Sequence, residues 1–169
     1  MKSNYGARPK IKILKTKSEL VWDIIGYTIF VGSITLLIFN WNTLPDQVPA
    51  HLNAVGEVDR WGSKMELFIL PVLGIFLAGL MQLVEKFPET HNYPERFNEE
   101  NAKEFYLTSR KTMNQLKNMC LIFFALISFE SVTIAQGWET RLGKWIIPII
   151  IVGTAIPIVY GIIKQRKIR

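Results

Sequence analysis

Ile24–Pro45 reads IIGYTIFVGSITLLIFNWNTLP, 22 residues without one charged side chain. At 1.5 Å rise per residue, about 20 apolar residues cross roughly 30 Å of hydrocarbon, so this stretch predicts a transmembrane helix. Working outward, the pattern recurs. Leu67–Val84 is uncharged over 18 residues and Trp145–Ile163 over 19, while Asn118–Trp138 runs for 21 interrupted only by Glu130. With 49% of its 169 residues hydrophobic, gathered into four blocks, the chain reads as an all-α polytopic membrane protein with four transmembrane helices. The basic leader of the first block suits a signal peptide. Its apolar part, however, exceeds a signal's h-region and ends in Asn40-Trp41-Asn42-Thr43-Leu44, with no small-residue cleavage site, so a retained helix is expected.

Lysine and arginine divide sixteen to four between the two sides of this layout. The N-terminal arm holds Lys2, Arg8, Lys10, Lys12, Lys15 and Lys17. Lys86, Arg96, Lys103, Arg110, Lys111 and Lys117 fall in the middle connection, and Lys164, Arg166, Lys167 and Arg169 in the tail. The other two loops hold only Arg60, Lys64, Arg141 and Lys144. Basic loops resist translocation, so both termini are expected in the cytoplasm and the protein in the cell membrane. The net charge of +6 is then explained by anionic headgroups, without nucleic acid. The expected organisation is a basic arm at 1–20; two helices flanking an outer loop at 42–64, together 21–84; a cytoplasmic stretch at 85–117 with a helix from about residue 98; helices three and four at 118–163; and a tail at 164–169. Cys120, the sole cysteine, offers no internal disulfide and reads as a packing residue.

Local signals refine these boundaries. Ser63-Lys64-Met65-Glu66 is a capping box that starts the second helix. Pro88 and Pro94 predict an irregular stretch, after which Asn98-Glu99-Glu100 resembles an N-cap with acidic first-turn residues. Ala102, Phe105, Tyr106, Ser109, Met113 and Leu116 then form one less polar face that continues into the third span. Pro148 and Pro157 predict a bent fourth helix, and Gly153 and Gly161 permit close helix contact. Glu130 stands alone among apolar residues, and an unpaired carboxylate in hydrocarbon is costly, so it is expected to face protein or water. Ser33, Thr35, Gly74, Gly153 and Thr154 fall at the same expected depth. They suggest a shared polar layer in which Glu130 bonds Ser33, Thr35 or Thr154. A structural clasp, a proton or ligand site, and a carboxylate reaching out to the interface are the three readings of Glu130.

The first outer loop, Leu44-Pro45-Asp46-Gln47-Val48-Pro49-Ala50-His51-Leu52-Asn53-Ala54-Val55-Gly56-Glu57-Val58-Asp59-Arg60-Trp61-Gly62-Ser63-Lys64, is distinctive. Pro45 and Pro49 stiffen an extended start, Asn53 and Gly56 suit a turn, Asp59 suits capping of neighbouring amides, and Trp61 suits the interfacial aromatic belt. His51 with nearby carboxylates falls short of a transition-metal site, which wants more nitrogen or sulfur donors, and His91 belongs to the opposite side. The pattern LP-x-x-VP-x-H-x-N-x-x-G-x-x-D-x-x-x-SK resembles the signature of the domain of unknown function 1648 family, over about residues 27–83. The cytoplasmic stretch from Tyr93-Pro94-Glu95-Arg96 to Arg110 resembles the segment that commonly succeeds this signature in relatives. That resemblance implies a bacterial helical membrane protein related to the SdpI-like immunity proteins, protecting against or sensing a membrane-active peptide.

The candidate ligand-binding residues are therefore His51, Asn53, Asp59, Trp61 and Glu130. No HExxH, phosphate loop, nucleophile elbow or Cys/His cluster occurs, so neither enzyme activity nor a cofactor is expected. Expected partners are the lipid bilayer, a peptide ligand, and a second copy or another membrane protein. The alternatives are a transporter or transport accessory using Glu130, and a structural accessory of a membrane complex.

Overall fold

The computed structural model describes residues 8–138 and 142–169; Lys2 and Arg141, two of the flanking charges, lie outside them. Helix α1 spans Lys17–Asn40, followed by strands β1 Gln47–Leu52 and β2 Val58–Ser63. A 3-10 turn at Lys64–Phe68 leads into α2, Ile69–Lys86; α3 spans Ala102–Ala135 and α4 Gly143–Lys167. All four helices are long and apolar enough to cross a membrane, and the chain is a multi-pass membrane protein. Its departure from all-α is the small antiparallel sheet β1–β2 in the loop between α1 and α2.

The helix ends follow from local chemistry. Glu19 Oε2 accepts from the amide and hydroxyl of Thr16, each at 2.7 Å, so α1 begins at Lys17, outside its uncharged run. The Ser63–Glu66 box forms as expected, although the turn it opens is 3-10 before it becomes α. α3 begins at Ala102 rather than near residue 98. The amide of Asn98 donates to Asn101 Oδ1 at 2.9 Å and the amide of Asn101 to Asn98 Oδ1 at 3.0 Å, a reciprocal clasp that holds a turn ahead of the helix. The chain turns out of α3 at Gly137, φ 75°, where the Trp138 amide reaches the Thr133 carbonyl and the Gly137 amide that of Ile134.

α3 is the centre of the bundle: half of its most apolar window is buried in protein, against 22% in α1 and α2 and 17% in α4. The outer helices turn large side chains such as Ile24, Phe76, Ile151 and Ile156 outward, and in a bilayer those faces meet lipid. Much of the inward face of α2 and α4 is small or compact, with Pro71, Gly74 and Ala78 on α2 and Gly143, Pro157 and Gly161 on α4 buried. Small residues allow close backbone approach where lipid supplies no hydrophobic drive for association.

Opposite ends of the bundle are built differently. At the hairpin end Leu37, Leu44, Val48, Leu67 and Val132 form a buried apolar cluster that anchors β1 to α1 and α3. At the end carrying both termini, Arg8 donates to the carbonyls of Glu89 and His91, and Arg96 to those of Gln165 and Ile168. The proline-containing connection expected to be irregular is thus tied to both chain ends. Tyr93 packs there against Phe97, Phe105 and Tyr106 and donates its hydroxyl to the Pro88 carbonyl at 2.7 Å; burial pushes its phenol up to about 12.

Candidate functional site

The conspicuous loop motif builds a hairpin. Asn53 organises its turn: its Oδ1 accepts from the amides of Val55 at 3.0 Å and Glu57 at 2.9 Å, while its own amide donates to the Glu57 carbonyl at 2.8 Å. Gly56 sits at φ 82°, a conformation glycine takes without penalty. Asp59 does not cap amides, as its type suggests. Its carboxylate pairs across the ladder with His51 Nδ1 at 2.6 Å, both side chains exposed, and the amide capping falls to Asn53. Trp61 lies opposite Pro49 and is 52% exposed. At the hairpin base Arg60 donates to Glu66 Oε2 at 2.8 Å, and that carboxylate raises the Arg60 guanidinium above its ordinary value.

Beneath β1, between α2, α3 and α4, lies a cavity of about 330 Å³. Leu70, Phe123, Ile127 and Ile146 contribute to its apolar walls, and His51 and Asn53 to its lining from the hairpin. Ser128 and Ser131 of α3 also line it; both are buried, and neither hydroxyl is hydrogen-bonded among the described residues. Apolar walls with a few convergent polar groups, at the lower end of the usual size range of about 300–1,000 Å³, are the composition of a small-ligand site. The geometry thus joins two of the sequence candidates, His51 and Asn53, to serines that the loop motif does not contain.

Glu130 is buried, 2% exposed, but not in the expected polar layer. Ser33 donates to the Phe30 carbonyl, Thr35 to Val31 and Thr154 to Ile150, so each hydroxyl is satisfied by its own helix. Glu130 lies only five residues before the end of α3, at the level of the helix termini. Its Oε1 accepts from the amide of Gly143, the first residue of α4, at 2.9 Å, where the helix dipole favours negative charge. Its Oε2 has no hydrogen-bond partner among the described residues. Gly56 also meets this point: a Cβ added to it would lie 2.2 Å from the Gly143 backbone. Gly143 therefore meets both Glu130 of α3 and the hairpin turn at the start of α4.

A second polar centre, at the terminal end, is not apparent from the sequence reading. Lys117, fully buried, pairs with Glu85 at 2.8 Å and Asp23 at 3.0 Å and donates to Gln82 Oε1 at 2.8 Å. Asn114 and Asn118 donate to Asp23 Oδ1 at 2.7 and 3.0 Å, and one turn nearer the end Arg110 grips Glu19 at 2.8 and 3.1 Å. Three helices are stapled by these pairs. By position Lys117 belongs with the solvated basic residues, because it lies one place outside an uncharged run. The signal that finds it is spacing, with Arg110, Asn114, Lys117 and Asn118 on one face of α3 and Glu19 and Asp23 on one face of α1.

Similarity to known proteins is concentrated in the hairpin half of the chain. Residues 28–75 match the family model described as Domain of unknown function (DUF1648), in agreement with the motif resemblance; the matched stretch holds His51, Asn53, Asp59 and Trp61 but not Glu130. An uncharacterized protein of Archaeoglobus fulgidus is 35% identical over 83 residues, which cover 48% of this chain and 44% of that relative, so the match spans less than half the length of either. No solved structure matches the chain.

Proposed function

We propose that this chain is a non-enzymatic membrane binding protein that takes a mostly apolar ligand, such as a segment of a membrane-active peptide, into the cavity beneath its hairpin, and that its role is immunity to or sensing of that ligand. In this reading it sits in the cell membrane with both termini in the cytoplasm, an orientation supported by the sixteen-to-four split of basic residues. The observation that carries the proposal is the cavity itself, where apolar walls from three helices meet two serine hydroxyls unbonded among the described residues and the motif residues His51 and Asn53. Such a site suits a hydrophobic side chain or chain segment with an occasional backbone polar group to satisfy.

Growth assays test it. Cells lacking the protein are expected to become sensitive to at least one peptide in a panel of membrane-active peptides. Ile146→Trp, which fills the cavity, should reproduce that sensitivity at unchanged protein level, and Ile156→Trp on the outward face of α4 should not. A filled cavity that protects as well as the wild type removes the reading. The transport alternative draws support from buried Glu130, whose Oε2 has no hydrogen-bond partner among the described residues. It requires that Glu130→Gln abolish a pH-dependent flux across vesicles, and an unchanged flux excludes it.

A further inference from the structure

At the terminal end, away from the hairpin, a recess of about 350 Å³ opens between α1, α3 and α4. Ser18, Lys111, Thr112, Gln115, Tyr160 and Lys164 line it, and among the described residues no carboxylate does. The ammonium groups of Lys111 and Lys164 have no anionic partner among the described residues. The neighbouring buried cations contrast with them, Arg110 being matched by Glu19, and Lys117 by Asp23 and Glu85. Two uncompensated positive charges thus share one concave site with hydroxyl and amide donors. Its depth is set by α4: Lys164 directly follows the uncharged run Trp145–Ile163, and Tyr160, one turn deeper, is 61% exposed. An exposed tyrosine one turn inside a flanking lysine marks the headgroup level of a bilayer.

We infer that this recess binds a phosphate group, and that the phosphate is the headgroup of an anionic lipid in the leaflet on the side of the termini. Paired ammonium groups hold phosphate oxygens as point charges, and the Ser18 and Tyr160 hydroxyls and the Gln115 amide supply directed donors. Above the recess Ile156, Val159 and Ile163 are exposed on α4, a surface along which an acyl chain can lie. A soluble phosphate offers the same charge without that chain.

The test uses the whole chain reconstituted in nanodiscs of phosphatidylcholine, with and without phosphatidylglycerol, read by the thermal unfolding midpoint and by lipid retained in native mass spectrometry. Phosphatidylglycerol is expected to raise the midpoint of the wild type and to be retained. A lysine held against an anionic headgroup contributes about fivefold in affinity, so Lys111→Gln with Lys164→Gln should weaken retention of the lipid seated in the recess roughly 25-fold and remove most of the shift. The paired arginine substitutions should keep both. Lys17→Gln with Lys167→Gln, exposed on the same side but outside the recess, should also keep both. If the double glutamine variant does not fold in neutral lipid, Lys164→Gln alone carries the expectation at about fivefold. Equal losses in the Lys17/Lys167 control, an unchanged shift in the recess variants, no effect of phosphatidylglycerol, or the same shift from inorganic phosphate in neutral discs would each overturn the inference.

Discussion

Lys117 holds two carboxylates from two other helices, and its removal leaves buried Glu85 without a cation and Asp23 with Lys15 alone among the described residues. Breaking a buried ion pair on one side costs about 3–5 kcal/mol. Lys117→Met should therefore lower the unfolding midpoint in detergent strongly, and adding Asp23→Asn and Glu85→Gln should restore most of it. A midpoint unmoved by Lys117→Met would show the cluster to be solvated. Gly56→Ala tests the hairpin contact: the left-handed conformation alone costs an L-residue about 1–2 kcal/mol, and the new Cβ meets the Gly143 backbone. Gly79→Ala, inside α2 with nothing within 4 Å, should not destabilise. Hydrogen exchange at residues 53–57, faster in the first variant and unchanged in the second, checks both. Of the individual residues, Glu130 is legible as a buried carboxylate because it interrupts an apolar run. Its partner is not, because a backbone amide leaves no mark in sequence and the hydroxyls at matching depth bond their own helices. Asp23, Glu85 and Lys117 are hidden by position, since a charge at a span's edge looks the same whether it meets water or a neighbouring helix.

Among the elements, the hairpin is the one the sequence describes by its parts without naming it. Its turn residues are recognisable, but Pro49 and the irregular register between Pro49 and Leu52 blur the alternation that identifies strands. The capping box is plain because Ser63 and Glu66 stand at the required spacing before an apolar run. Ser63→Ala should cost about 1 kcal/mol and loosen the Lys64–Phe68 turn, seen as increased proteolysis at the hairpin base with α2 unaffected; an unchanged cleavage rate would assign that turn's stability to the Leu67 packing instead. The delayed start of α3 has the same kind of cause. Asn98 is a good cap by type, yet Asn101 has the same chemistry three residues on, and their mutual bonds take precedence over capping.

For the molecule as a whole, four spans are legible because hydrocarbon selects on length and charge alone, which a single sequence displays. An even number of spans puts both ends on one side, as the bonds of Arg8 and Arg96 also require. A cysteine introduced at Val55 should react with a membrane-impermeant maleimide in intact cells, and one at Gln165 only after permeabilisation; the reverse pattern would invert the proposed orientation. What no count of spans reveals is that α3 carries the packing for the other three. Synthesis runs from the N-terminus, so α1 and α2 enter the bilayer before the helix that joins them has been made. During that interval Asp23 has only Lys15 as counter-ion among the described residues and Glu85, whose cation is Lys117, has none. A chain truncated before α3 is therefore expected to turn over faster in the membrane than the completed one, and equal half-lives in a pulse-chase comparison would count against this.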